Sequence, residues 1–110
     1  RRHAADMTER RYFSHVSPGG SDLKDRLRRA DYGKPGAGWS AGENLGWGTG
    51  DRATPAAMVD AWLASEGHKR NMLGRRFREV GVGVVRGAPQ PSGGLPGATY
   101  TLVLGVTRSG

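Results

Sequence analysis

The sequence predicts an α+β domain in which helices cover a small antiparallel sheet. Two observations near the C-terminus carry the sheet: residues 80–85 read Val-Gly-Val-Gly-Val-Val, and residues 99–107 place Tyr100, Leu102, Leu104 and Val106 opposite Thr99, Thr101, Val103 and Gly105, both with the period of two that marks a strand. The third is the order of patterns along the chain. Helix, helix, glycine-rich strand candidate, helix, helix, strand, strand implies strands that pair antiparallel with helices laid on them.

Taken in order, residues 1–12 read as a helix with Ala4, Ala5, Met7 and Thr8 on a shared face. Nothing before Ala4 resembles a cap, so the chain is expected to begin inside or just after a longer helical region. Residues 13–20 leave the helix, with Pro18-Gly19-Gly20 as the turn and His15 at the exit. Ser21 is the expected N-cap of a second helix with Asp22 in its first turn; Leu23, Leu27 and Ala30 follow at i, i+4, i+7, and the outer face is basic. A Pro/Gly loop over residues 34–38 leads into Ala41-Gly42-Glu43-Asn44-Leu45-Gly46-Trp47-Gly48, which sets one carboxylate among small residues between Trp39 and Trp47. So glycine-rich a run is poor helix, and within it residues 44–47 suit a short strand. It is expected to line a cleft that presents Glu43.

Thr54 before Pro55 is a helix start, a cap followed by a first-turn proline. Met58, Ala61, Trp62 and Ser65 form one stripe, which Val59 and Leu63 widen, so this helix is expected to bury a broad face with Trp62 in the core. Ser65 then closes that helix and caps another, with Glu66 in the first turn and His68 near the positive end of the dipole, which favours a neutral imidazole. Ser65 and His68 lie three apart, but no nucleophile elbow or third member accompanies them, and capping is the expected role of the serine. Residues 86–97, rich in Pro and Gly, connect the last two strands as a surface excursion.

The 110 residues fit one domain, 1–110, with a single core. The absence of cysteine excludes disulfides and thiolate metal sites. No apolar run approaches the roughly 20 residues that span a bilayer, and no hydrophobic signal region follows Arg1-Arg2. Seventeen Lys and Arg against ten Asp and Glu give a net charge of +7, gathered at Arg10-Arg11, at Arg26/Arg28/Arg29 and at Lys69, Arg70, Arg75, Arg76 and Arg78. Such a surface attracts anionic polymers, whether cell-wall polymer or lipid. Nucleic acid is not an expected partner, since no nucleic-acid motif accompanies the charge.

Several motifs then fall in one order: Phe13-Ser14-His15; Gly42-Glu43-Asn44-Leu45; Trp62, followed by Ser65-Glu66-Gly67-His68-Lys69-Arg70-Asn71-Met72-Leu73; Phe77 and Val80-Gly81-Val82-Gly83; and a closing Tyr100-Thr101 strand. Over roughly residues 4–105 the chain resembles the CAP superfamily of cysteine-rich secretory, antigen 5 and pathogenesis-related 1 proteins, in particular its cysteine-free bacterial, SCP-like branch. The resemblance implies an α-β-α sandwich with a small central antiparallel sheet, here lacking the family's first helix, and an extracytoplasmic or secreted location. It also implies a cleft with two histidines and acidic residues that in some members bind a divalent metal, often zinc. By position His15 and His68 match the histidines and Glu43 the acid, with Asn44 and Glu66 as further cleft candidates. The chain departs from the pattern at Ser65, which stands where eukaryotic members carry a second acid, leaving Glu66 as a stand-in, and it lacks the later Gly-His-Tyr-Thr-Gln motif.

Three functions follow as expectations. One is a binding domain whose His15/Glu43/His68 cleft holds zinc and a small, lipid-like or hydrophobic ligand. Another is a hydrolase, protease-like, in which Glu43 or a metal-bound water is the base and His15 and His68 assist. The third is attachment to anionic wall polymer or lipid through Lys69, Arg70, Arg75, Arg76 and Arg78. Binding is favoured over hydrolysis.

Overall fold

The computed structural model describes residues 1–33 and 38–107. Helix α1 (Arg2–Arg10) turns His3, Ala4 and Met7 inward and stops at Arg11, whose left-handed φ of 56° ends the helix earlier than the pattern suggested. Helix α2 (Leu23–Arg29) is capped by Asp22 rather than Ser21. The reason is reciprocal: the Asp25 N–H donates to Asp22 Oδ1 at 2.9 Å and the Asp22 N–H donates to Asp25 Oδ2 at 3.1 Å, a capping box that a serine one residue earlier cannot complete. The loop expected over residues 34–38 lies, except for Gly38, outside the described residues.

Strand β1 (Trp39–Thr49) is longer than the four residues its composition suggested. It pairs antiparallel with β3 (Gly97–Thr107) along its whole length, from Trp39 opposite Thr107 to Thr49 opposite Gly97, and this ladder outweighs the poor strand propensity of its glycines. One of them is required by packing, since a Cβ on Gly48 would sit 2.2 Å from the backbone oxygen of Arg52. A 3₁₀ turn (Gly50–Ala53) leads to α3 (Pro55–Leu63), where the Thr54 hydroxyl accepts from the Ala57 N–H at 3.2 Å as the cap-proline pair predicts. Helix α4 (Glu66–Met72) follows at once, and then β2 (Glu79–Arg86). The sheet order is β1-β3-β2, all antiparallel, so the last two strands are neighbours as their alternation predicted.

The two faces of the sheet carry different cores. Helices α1 and α2 lie on the face of Glu43, Leu45, Thr99 and Thr101, where the Thr8 hydroxyl donates to Thr99 Oγ1 at 3.0 Å and a Cβ on Gly83 would meet Arg1 backbone atoms at 2.4 and 2.5 Å. Helices α3 and α4 cover the opposite face, where Met58, Trp62, Tyr100 and Leu102 form the buried cluster and Trp62 meets Tyr100 edge-on at 6.5 Å. The result is an α-β-α arrangement. Only the Met58–Trp62 line of α3 is buried: Ala61, Val59 and Leu63 are exposed, contrary to the broad face expected, because the helix packs along β1 with a single i, i+4 stripe. On the same face Val80, Val82 and Val84 of β2 are exposed.

Candidate functional site: the Glu43 cleft

Gly42, Glu43 and Asn44 sit in mid-strand, so their side chains alternate between the two faces of the sheet. Glu43 points toward α2 with its side chain only 1% exposed. The Arg26 guanidinium closes on it, Nη1 to Oε2 at 2.5 Å and Nη2 to Oε1 at 3.0 Å, and His15 Nδ1 donates to Oε1 at 2.9 Å. Arg26 Nη2 also donates to the backbone oxygen of His15 at 2.7 Å. Burial alone pushes the Glu43 carboxyl up; the hydrogen bonds from Arg26 and His15 and the Arg26 charge outweigh it and hold the group below its ordinary value, so it is ionised at neutral pH.

The loop that carries His15 is tied back to α1. Buried His3 meets the backbone oxygen of Ser14 through Nε2 at 2.8 Å, so its proton lies on that nitrogen, while Nδ1 faces the Tyr12 hydroxyl at 3.4 Å and that hydroxyl donates to Asp6 Oδ2 at 2.5 Å. Burial, then the Arg26 charge, lowers the pKa of His3 despite the bond to Ser14, which keeps its ring neutral. His15 itself is 56% exposed at the side chain. Its Nδ1 is used by Glu43, and its Nε2 has no hydrogen-bond partner among the described residues.

Beside this cluster opens a cavity of about 370 Å³ lined by His15, Asp22, Leu23, Lys24, Trp39 and residues 41–43. The Trp39 ring is steadied by an edge-on contact with Tyr32 at 6.4 Å. Two buried side-chain atoms have no hydrogen-bond partner among the described residues, Ser21 Oγ just before α2 and Arg26 Nε within it.

The structure brings His15 and Glu43 together but places the other candidates elsewhere. Asn44 is fully buried on the opposite face, where Nδ2 donates to the His68 backbone oxygen at 3.0 Å and Oδ1 accepts from Asn71 Nδ2 at 3.0 Å; it fastens α4 to the sheet. His68 lies on that helix with Nδ1 against Ser65 Oγ at 2.9 Å, so the serine that starts α4 bonds the imidazole and makes no side-chain cap bond. Glu66 is exposed in the first turn of α4. Lys69, Arg70, Arg75, Arg76 and Arg78 are all exposed, Arg76 over the Phe77 ring at 5.1 Å and Arg78 Nη1 donating to the Arg75 backbone oxygen at 2.6 Å.

The arrangement is a poor fit for a divalent ion. Among the described residues no group of three or more His, Asp or Glu stands close enough to hold one. Glu43 already has a guanidinium N–H on each oxygen, which takes one acceptor site of each and, by its charge, repels a second cation. The residue that sequence reasoning missed is Arg26, counted only with the basic surface. Its position three after Leu23 sets it beside the inward stripe of α2, and that spacing was the available signal.

Comparisons with known proteins agree on the fold. The sequence model of the CAP, cysteine-rich secretory protein, family matches residues 1–104. An uncharacterized membrane protein of Bacillus subtilis, YlbC, is 43% identical over 86 residues, covering 76% of this chain and 22% of that protein. YkwD, an uncharacterized protein of the same organism, is 36% identical over 80 residues, covering 73% of this chain and 28% of its own length. The chain thus spans less than a third of either relative. An outer surface protein of Borrelia burgdorferi superposes with a TM-score of 0.63 at 20% identity, over 94% of this chain and 67% of that one.

Proposed function

This chain belongs to the cysteine-rich secretory protein, or CAP, family, and on that premise we propose that it is an extracytoplasmic binding domain whose Glu43 cleft takes a small ligand through His15, Lys24 and Trp39. The observation that carries this reading is the state of Glu43. Enclosed, ion-paired with Arg26 and held below its ordinary pKa, it has neither the raised basicity nor the exposure of a general base. It is a built-in anchor that orients His15 at the rim of an open cavity. The Ser65–His68 pair does not supply a substitute, since no acidic group bonds the other ring nitrogen of His68 among the described residues.

An extracytoplasmic location is supported by the surface location in the name of the Borrelia protein, while no helix among the described residues is long and apolar enough to cross a membrane. The exposed cations at Lys69, Arg70, Arg75, Arg76 and Arg78 favour a second, weaker engagement with anionic wall polymer or lipid, lost steeply as salt rises.

The test is nuclear magnetic resonance with a small-molecule fragment collection, run beside hydrolysis assays on peptide and ester substrates. Binding reported by the His15 ring and Trp39 indole, with no turnover above that of Glu43→Gln, supports the reading. Turnover abolished by Glu43→Gln would favour the hydrolase.

A further inference from the structure

We propose that the cleft receives an extended, acidic peptide segment that adds as a fourth strand to the free edge of β1 at Trp39 and Ala41. The proposal rests on the reading of this cleft as a binding site and names its partner.

The register decides which backbone groups are free. In β3 the Gly105 oxygen accepts from the Arg78 N–H beside β2 and the Gly97 oxygen from Gly87, so its odd residues bond toward β2; the Pro96 oxygen accepts from Gly50 next to β1, which sets the even residues toward β1. The partners of those even residues in β1 are residues 40, 42, 44, 46 and 48. The N–H and C=O groups of Trp39, Ala41, Glu43 and Leu45 therefore point away from the sheet.

Part of that edge is capped. Trp62 Nε1 donates to the Leu45 oxygen at 2.9 Å and Asn71 Nδ2 to the Glu43 oxygen at 3.3 Å, so side chains of α3 and α4 close it to further pairing. At Trp39 and Ala41 no group among the described residues does the same, and this stretch borders the cavity. The open edge and the open cavity coincide.

An incoming strand here would bond the backbone of Ala41 and Trp39 and lay alternate side chains into the cavity between Trp39 and Leu23. The charge of its side chains follows from what is already paired. Glu43 is neutralised by Arg26, while Asp22 keeps its negative charge with Oδ1 held by the Asp25 N–H of the capping box. Lys24 is the exposed cation of the lining, so a Glu or Asp is complementary there.

The experiment is titration of the isotope-labelled chain with a pool of acetylated acidic hexapeptides alternating Glu with Val, Thr, Leu or Ala, following backbone amides to about 1 mM peptide. The expected result is slowed amide exchange at Ala41 and Trp39, about tenfold weaker binding to Lys24→Glu and to Ala41→Pro, and loss of binding when alternate peptide nitrogens are methylated. Ala41→Pro deletes an N–H that the ladder does not use, and proline is tolerated at such edge positions; should it fail to fold, the methylated peptides make the same test on the unaltered protein. Equal binding of methylated and unmethylated peptides, shifts confined to the β2 edge, or no shift at all would overturn the proposal. Fragment binding at His15 without peptide binding would overturn it alone and leave the cleft reading intact, whereas absence of both would remove the two together.

Discussion

Arg26 and Glu43 form a two-pronged ion pair that fastens α2 to the middle of β1, with the carboxylate 1% and the guanidinium 18% exposed at the side chain. Because the same guanidinium also holds the His15 backbone, three segments meet on one cation: helix, strand and loop. A family acid that could ligate a metal or act as a base is here committed to structure, and His15 is its outward extension.

The first prediction is that Arg26→Gln destabilises far more than a surface substitution. It leaves the carboxylate buried without its charge partner, which costs about 3 kcal/mol once the partial exposure of the arginine is allowed for. Urea unfolding at pH 7 checks this. Adding Glu43→Gln should recover a large part of the loss, since the uncompensated charge is then gone; a single-variant loss under about 0.5 kcal/mol would mean that the pair contributes like a surface bridge.

The second concerns pH. In the fold Glu43 ionises below its ordinary value of 4.5, so it binds fewer protons than the unfolded chain does, and its stabilisation is present above pH 4.5 and lost as pH falls through the lower, folded pKa. His3, whose pKa is lowered from 6.5, acts earlier: its neutral ring stabilises the fold above pH 6.5, and that contribution declines below it as the unfolded imidazole takes up a proton. Melting temperature against pH should therefore fall in two stages. His3→Gln should flatten the upper stage and Glu43→Gln the lower; a wild-type profile level from pH 6.5 to 4.5 would refute the first, and one level from pH 4.5 down to about 2 the second.

Fold and site were legible to different degrees. The alternation at residues 80–85 and 99–107 is set by which face meets a helix, so it was readable, as was the Thr54-Pro55 start. The length of β1 was not, because its glycines have poor strand propensity and only pairing with β3, remote in sequence, holds them extended. At the site, His15 and Glu43 could be read as partners from the family motifs. Once residues 42–44 lie within the longer strand, alternation turns Asn44 away from Glu43, and Asn44 carries α4 and His68 with it; a strand expected only over residues 44–47 did not show this. What no motif encodes is how far around the sheet α4 sits, since that depends on Met58 and Trp62 filling the opposite core.

Asn44 supplies the third prediction. It is fully buried and holds α4 through the His68 oxygen and Asn71, so Asn44→Ala should cost about 2 kcal/mol, the sum of a lost buried bond and a small cavity. Hydrogen exchange should quicken in α4 while the Arg26–Glu43 pair, on the other face, keeps its signals. Unchanged exchange at His68 would show that α4 is held by other contacts.

The last prediction addresses zinc. His15 and Glu43 are in contact, but His68 is bonded to Ser65 on the opposite face and the carboxylate is covered by Arg26, so no third donor reaches the pair among the described residues. Two donors, one of them already ion-paired, leave a zinc ion short of the three or four protein ligands it takes in stable sites. Calorimetric titration of untagged protein at neutral pH should give no stoichiometric uptake tighter than about 10 μM. His15→Ala with His68→Ala should then behave as the wild type does, with unchanged circular dichroism. Tight uptake by the wild type that this double substitution abolishes would require Arg26 to swing off Glu43 and α4 to turn His68 around the edge of β1, and it would restore the metal to the cleft.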